Sequence, residues 1–323
     1  MFSFALSDEE RLVQETARRF AQDRLLPALR AHERARGVPP ALAGEFAALG
    51  FDAAGAFAQA LALEELAAVD PGAAVALDAA GLAHAFVSER GVVIHDDAGT
   101  IVARNGRVSG TCAWVPADAV ALAVILQPGR ALVVREGWTL ERVRPCGLEA
   151  AGASRLVFQD APVAATIDDP RALPRATARM RTAVAALLTG AARGAHEYAM
   201  RYATERVAFG RPIAHHQAIA FLIADLATAV DVARLAVWRA AAALDRGEDA
   251  AWEAASAFAE AAEQALFVGP NAVQILGGHG FMKDHPVEKW MRDIRTLAQL
   301  AGGRDTAELA AAALAPAHEI ALA

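Results

Sequence analysis

An α+β fold is predicted from three observations. Apolar residues recur at helical spacing through the first ninety positions, short β-branched segments broken by Gly, Asn and Pro follow from about 91, and long Ala- and Leu-rich helical stretches run from about 171 onward. The boundaries read as residues 1–90 helical, 91–170 β and 171–323 helical, three layers of one α+β subunit. Ser7-Asp8-Glu9-Glu10 has the form of a capping box, so a helix is predicted from about 8 to 32, with Leu12, Val13, Ala17, Phe20 and Leu25 near helical spacing. PPALAGEFAALGF (39–51) begins at Pro and stops at Gly50, a second, shorter helix. ALALEELAAVD (60–70) and PGAAVALDAAGLAHAFVSER (71–90) are predicted as two more. In the middle segment, Asn105-Gly106 between two short runs is a hairpin signal, because both residues tolerate positive φ. Long helices are then predicted at 176–204, 213–246, 249–274, 286–300 and 305–319.

Composition narrows the function. A net charge of −7 leaves no basic excess to neutralise phosphates, which argues against nucleic-acid binding. Cys112 and Cys146 are too far apart for a local metal motif, and no metal site is expected. His215-His216 reads as a surface pair at a helix start, since adjacent side chains diverge and no third ligand is spaced to help. The apolar run at 119–126 is short of the ~20 residues that a membrane span needs, so no membrane insertion is expected. MFSFALSDEER lacks the basic-then-apolar pattern of a leader, and a cytoplasmic location is the expectation. Glu64-Glu65 and Arg292-Asp293 read as helix-surface ion pairs, each worth little.

Two segments carry chemistry: RVAFGRPIAHHQAIAFLIADLATAV (206–230) and AVQILGGHGFMKDHPVEKWMRDIRT (272–296). With Arg206, Phe209, Gly210 and Gln217 in the first, and Gln274, Gly277, Gly278 and Gly280 in the second, they resemble the two signature regions of the acyl-CoA dehydrogenase family. FALSDEERLVQETARRFAQDRLLP and ALEELAAVDPG extend the resemblance over most of the chain. It implies an N-terminal helical domain, a middle β domain and a C-terminal four-helix bundle, with FAD shared at a subunit interface. The flavin ring would lie against one subunit's β domain, near Trp114 here, and the adenosine diphosphate against the neighbour's bundle. The residue chemistry agrees: Arg206 offers a fork of donors suited to a diphosphate, and Gly277 and Gly278 let backbone N–H groups approach a phosphate or ribose. His279 reads as a loop residue near the cofactor rather than an acid–base group.

What the resemblance requires for catalysis is missing. Family members remove an α-proton with a positioned carboxylate, a step that contributes typically about 10²–10⁴-fold. Counting on from Arg292-Asp293-Ile294-Arg295, the base position falls on Ala301, followed by Gly302 and Gly303. Some relatives place the base just before an arginine of the bundle's first helix, which here gives Met180 before Arg181. Asp305 and Glu308 are weak substitutes further along a helix. The Thr-Glu-Pro-Gly-Ala-Gly-Ser-like loop has no counterpart after SERGVVIHDDAG, Pro116 stands where a hydroxyl would meet the flavin, and GFDAAGAFAQALALEEL shortens a loop between helices. The expectation is a base-less subunit of an α2β2 assembly. Arg206, Phe209, Gln217, Gln274, Gly277 and Gly278 would complete the FAD site of a second acyl-CoA dehydrogenase-like subunit, which binds the acyl-CoA, of steroid side-chain type by analogy. Two alternatives stay open: a self-sufficient FAD homo-oligomer with a relocated base, and a scaffold that binds no flavin.

Overall fold

The computed structural model describes residues 5–51, 55–96 and 98–315. Helix α1 (Asp8–Phe20) opens with the capping box: Ser7 Oγ accepts from Glu10 N at 3.2 Å, and Ser7 N donates to Glu10 Oε2 at 2.6 Å. The single helix predicted to residue 32 is interrupted. It loosens into a π turn at Ala21–Leu25 and tightens into a 3₁₀ turn at Leu26–Ala28 before α2 (Leu29–Ala35), because Pro27 has no N–H to continue the ladder. After α3 (Pro40–Ala47), helix α4 (Ala56–Val69) is buried almost all round, and its first N–H groups, Ala56 and Phe57, donate to the Asp245 carboxylate at 2.6 and 2.9 Å. The shortened segment at 52–54 lies outside the described residues.

The helix expected over 71–90 is corrected. Only α5 (Pro71–Ala76) forms, capped by Asp70; the backbone turns left-handed at Asp78 (φ 54°) and Gly81 (φ 53°), and one 3₁₀ turn follows at Ala83–Ala85. Two positive-φ residues within four positions end a helix whatever the propensity of the alanines around them.

The middle segment is one sheet made of β1 (Val92–His95), β2 (Ile101–Arg104), β3 (Arg107–Val115), β4 (Ala123–Gln127), β5 (Arg130–Val134), β6 (Trp138–Arg142) and β7 (Ser154–Ile167). The order is β1-β4-β5-β7-β3-β2, with β6 also on β7, and only β1 and β4 are parallel. Asn105 (φ 51°) and Gly106 (φ 73°) close the β2–β3 hairpin, with Arg104 opposite Arg107. The apolar run before Gln127 is a strand covered on both faces: Leu122, Val124 and Leu126 join the helical core while Ala123 and Ile125 join the sheet's own core.

The C-terminal helices are α6 (Ala172–Glu205), α7 (Gln217–Asp245), α8 (Ala251–Leu276), α9 (Val287–Leu297) and α10 (Gly303–Leu314). The end of the helix expected over 305–319 falls beyond residue 315, outside the described residues. Among the described residues, no helix is long and apolar enough to cross a membrane. Helix α4 lies so close on α6 that a Cβ at Gly194 would sit 2.1 Å from the Ala68 carbonyl oxygen, and one at Gly190 would sit 2.3 Å from that of Glu64. Gly194→Val should therefore lower stability by about 3 kcal/mol, read from urea melts. Gly44→Ala, on the open side of α3, should instead raise it by up to about 1 kcal/mol. Equal effects of the two changes would show that the α4–α6 approach is not tight.

Neither charged pair expected on the surface lies there. Glu64 and Glu65 are both 3% exposed and bind Arg193 at 3.1 and 2.8 Å, with Arg234 on Glu64 (2.8 Å) and Arg18 on Glu65 (2.9 Å). Asp293 is fully buried: its Oδ2 meets Lys289 Nζ at 2.5 Å, its Oδ1 accepts from Leu148 N at 2.6 Å, and Lys289 also reaches Asp70 at 2.7 Å. Arg292 spans Glu33 (2.9 Å), Glu288 (2.8 Å) and Glu149 (3.3 Å). An i,i+4 Lys-Asp spacing on a helix resembles a solvated pair, and only the packing of α5 and the 146–149 loop over α9 turns it into a buried one.

These contacts fix a pH dependence. Burial alone would raise Glu33 and Glu65, but hydrogen bonds from Arg30 and Arg292 to the first, and from Arg18 and Arg193 to the second, hold both below the ordinary glutamate value of 4.5. Their stabilisation is fully present above 4.5 and lost as pH falls through the lowered values. The melting temperature should thus fall steeply below that point, and Glu65→Gln should flatten part of the acid limb. An unchanged limb in that variant would place the acid sensitivity elsewhere.

Candidate functional site

The carboxyl-terminal ends of α6 and α8 meet at one edge of the bundle. At the first, Arg206 leaves the helix in an extended conformation (φ −72°, ψ 117°), its N–H still bonded to Tyr202 O at 2.8 Å. At the second, Gly277 (φ 59°, ψ −136°) stops α8 and starts a 3₁₀ turn through Phe281. Between them is a cavity of about 300 Å³, lined by Tyr202, Arg206, Gln274, Gly277, Gly278 and His279 among others. Four of the sequence-selected residues, Arg206, Gln274, Gly277 and Gly278, therefore share one wall-to-wall space although about 70 residues separate the two segments.

Among the described residues, no carboxylate lines the cavity. Arg206 is exposed, with no ion-pair partner among the described residues. Gly277 needs its left-handed φ, and at both Gly277 and Gly278 a Cβ would meet nothing within 4 Å, so these glycines leave bare backbone beside the cavity. Gly280 differs: a Cβ there would lie 2.4 Å from Val273 O, which is a packing requirement. A guanidinium fork, a carboxamide and bare backbone around an open space make a donor set for a diphosphate or similar anion.

Phe209 and Gln217 do not line this cavity. Phe209 (φ 53°) and Gly210 (φ 79°) form the tip of a two-stranded hairpin, β8 (Val207–Ala208) and β9 (Arg211–Pro212), and the Phe209 ring is 96% exposed. The pair next to the tip is held by His216, whose Nε2 lies 3.2 Å from Ala208 O and whose Nδ1 lies 3.2 Å from Arg211 Nη2. Gln217 opens α7 as an exposed residue. No group of three His, Cys, Asp or Glu capable of holding a metal occurs among the described residues.

Sequence reasoning passed over Tyr202, one turn before Arg206 on α6, and His285. The Tyr202 hydroxyl lies 2.7 Å from His279 Nδ1, and that of Tyr198 lies 2.9 Å from His285 Nδ1. The two imidazoles stack at 5.8 Å and 19°. The signal was available in the i,i+4 spacing of Tyr198, Tyr202 and Arg206, which puts them on one helix face.

The positions read from the sequence as those of a base, Ala301 and Met180, do not line this cavity and carry no ionisable group. Ala301 sits in a left-handed turn (φ 54°, ψ 26°) between α9 and α10 and is 7% exposed. Gly302 (φ 91°) follows, with His95 Nδ1 2.7 Å from where its Cβ would be, so a side chain there would be strained and would displace the His95 ring. Met180 is 1% exposed within α6. Asp305 is exposed in the first turn of α10, and Glu308 accepts from Arg304 Nε at 2.6 Å. Trp114 lies half-buried on β3 against the helical core, and Pro116 lines a second cavity of about 360 Å³ that also touches Leu300, Val92, Arg36 and Arg90.

Residues 7–91 match the family model for the acyl-CoA dehydrogenase N-terminal domain, and residues 171–313 match that for the acyl-CoA dehydrogenase C-terminal domain. The chain belongs to the acyl-CoA dehydrogenase family and has its fold, an N-terminal helical domain, a middle β-sheet domain and a C-terminal helical domain. An acyl-CoA dehydrogenase of Bacillus subtilis is 44% identical over 115 residues, which is 36% of this chain and 30% of that relative, so the match spans less than a third of the relative's length. Butyryl-CoA dehydrogenase from Megasphaera elsdenii superposes with a TM-score of 0.83 at 22% identity, covering 97% of this chain and 99% of that one. A glutaryl-CoA dehydrogenase from Mycobacterium smegmatis in complex with FADH2 superposes with a TM-score of 0.81 at 18% identity, covering 95% and 94%.

Proposed function

We propose that this chain is a base-less subunit that holds the adenosine-diphosphate half of FAD for a second acyl-CoA dehydrogenase-like subunit, which binds an acyl-CoA and supplies the carboxylate for α,β-dehydrogenation. The reading is carried by one contrast: a donor-lined cavity with a free Arg206 on one edge, and buried Ala301 and Met180 at both base positions. The donor set fits the cofactor, since Arg206, Gln274 and the backbone at Gly277 and Gly278 offer what a diphosphate accepts, and Gln217 and the exposed Phe209 project from the same end for contact across an interface. The chemistry that FAD supplies when bound is acceptance of a hydride from the β-carbon. This chain's residues bind and orient; none of them holds the α-proton.

A relocated base has less support, because Glu308 already neutralises Arg304 and Asp305 stands in solvent at a helix start. The test is to purify the chain alone and together with an adjacently encoded acyl-CoA dehydrogenase-like protein, recording flavin absorbance per subunit and acyl-CoA-dependent dye reduction. A colourless, inactive chain that yields one FAD per pair and activity in the mixture is expected. A yellow, active protein in isolation would overturn the reading and turn attention to Asp305 and Glu308.

A further inference from the structure

His279 lines the cavity between α6 and α8 and has no role in the reading above. His279 projects from the 3₁₀ turn after Gly277-Gly278, is exposed, and lines the same space as Arg206 and Gln274. Its ring is fixed from two sides. Tyr202 Oη meets Nδ1 at 2.7 Å, and the face of the ring lies along His285, which Tyr198 holds through its own Nδ1 at 2.9 Å. Tyr198 in turn packs on the buried Trp290 with ring centroids 6.1 Å apart. A file of aromatic rings thus runs from the core of the bundle to the cavity, and His279 is its outermost member.

The Tyr202 Oη–His279 Nδ1 contact is compatible with donation in either direction, and an anion accepting from Nε2 would select one of them. With Tyr202 donating into Nδ1, the imidazole carries its proton on Nε2, which has no hydrogen-bond partner among the described residues. The result is an oriented N–H donor beside an unpaired guanidinium and bare glycine backbone.

We propose that His279 is a further ligand of the cofactor's diphosphate, donating from Nε2, and that Tyr202 is the positioning residue that fixes its tautomer. The inference rests on the proposal that this cavity takes the adenosine-diphosphate half of FAD. His279 gives the phosphate oxygens a second directed donor in the same cavity as the Arg206 fork, which discriminates a diphosphate from an uncharged flavin fragment.

The test uses the whole chain labelled with ¹⁵N-histidine, ADP as the probe and riboflavin as the phosphate-free control. On adding ADP, one Nε2 resonance of the nine histidines should move, and it should be the one missing in His279→Ala. Riboflavin should leave it in place. The dissociation constant for ADP should rise about tenfold in His279→Ala, the usual effect of losing one hydrogen bond to a charged group. It should rise less in His279→Gln, which keeps an N–H donor, and Tyr202→Phe should weaken ADP while also shifting the His279 Nδ1 resonance. If Arg206→Ala weakens ADP but His279→Ala and Tyr202→Phe bind it as the wild type does, this inference is overturned and the cofactor reading stands. If the wild type gives no saturable response to ADP, the cofactor reading fails and this inference fails with it.

Discussion

Lys289→Met is expected to destabilise the chain by about 3–5 kcal/mol, the range for removing one partner of a buried ion pair. Methionine nearly matches the lysine stem, so packing survives and the loss is electrostatic. Burial works against the charged amine, yet the carboxylates of Asp293 and Asp70 outweigh it and raise its pKa above the ordinary value. In the variant, two carboxylates with no exposure face each other, Asp293 already pushed up by its burial. Urea unfolding should show the midpoint shift. The triple variant Lys289→Met, Asp70→Asn, Asp293→Asn should recover much of the loss, because it removes the charges rather than stranding them. A Lys289→Met midpoint equal to the wild type's would mean that the cluster contributes nothing to stability.

On the proposed function, Arg206→Ala should weaken FAD retention by the proposed two-subunit assembly about 10- to 100-fold, as expected for losing charge-assisted hydrogen bonds to a phosphate. The measurement is flavin absorbance per assembly after gel filtration, with assembly size checked in the same run. Arg206→Lys should retain only part of the affinity, because a point charge replaces the planar fork. The helix ends around Arg206 are held by backbone bonds that the substitution leaves alone, Arg206 N to Tyr202 O and Ile213 N to Arg206 O, both 2.8 Å. An intact assembly with full flavin in Arg206→Ala would remove this residue from the site.

The legible parts of the molecule were those specified by local chemistry. The capping box at Ser7, the Asn105-Gly106 hairpin and the long apolar periodicities of α6, α7 and α8 each act through residues within a turn or two of one another. The signature segments were legible because Arg206 and Gly277-Gly278 sit where helices end, and helix ends are what bring distant segments to one edge. The helix expected over 71–90 failed at Asp78 and Gly81, where the backbone turns left-handed within the alanine-rich stretch. The ion clusters were misread because their burial depends on distant segments. Nothing near Glu64, Glu65 or Asp293 in the chain says that other segments will cover them. The Tyr202–His279 contact was hidden by a sequence separation of 77.

The Lys289 cluster also bears on the order in which the chain can acquire its structure. Asp70 waits for a partner 219 residues further on, and Asp293 takes a hydrogen bond from a backbone amide 145 residues before it. During synthesis at ~5–20 residues per second, the α4–α5 corner emerges on the order of ten seconds or more before the lysine that neutralises it. Until then Asp70 cannot be buried at its final depth, so the early helices stay open to solvent and docking of α9 becomes a late, cooperative step. A chain cut between the sheet and α6 would therefore leave Asp70 on a fragment without Lys289, while Lys289 keeps Asp293 on the other, and amide exchange in α4 should report the same opening energy as in α9.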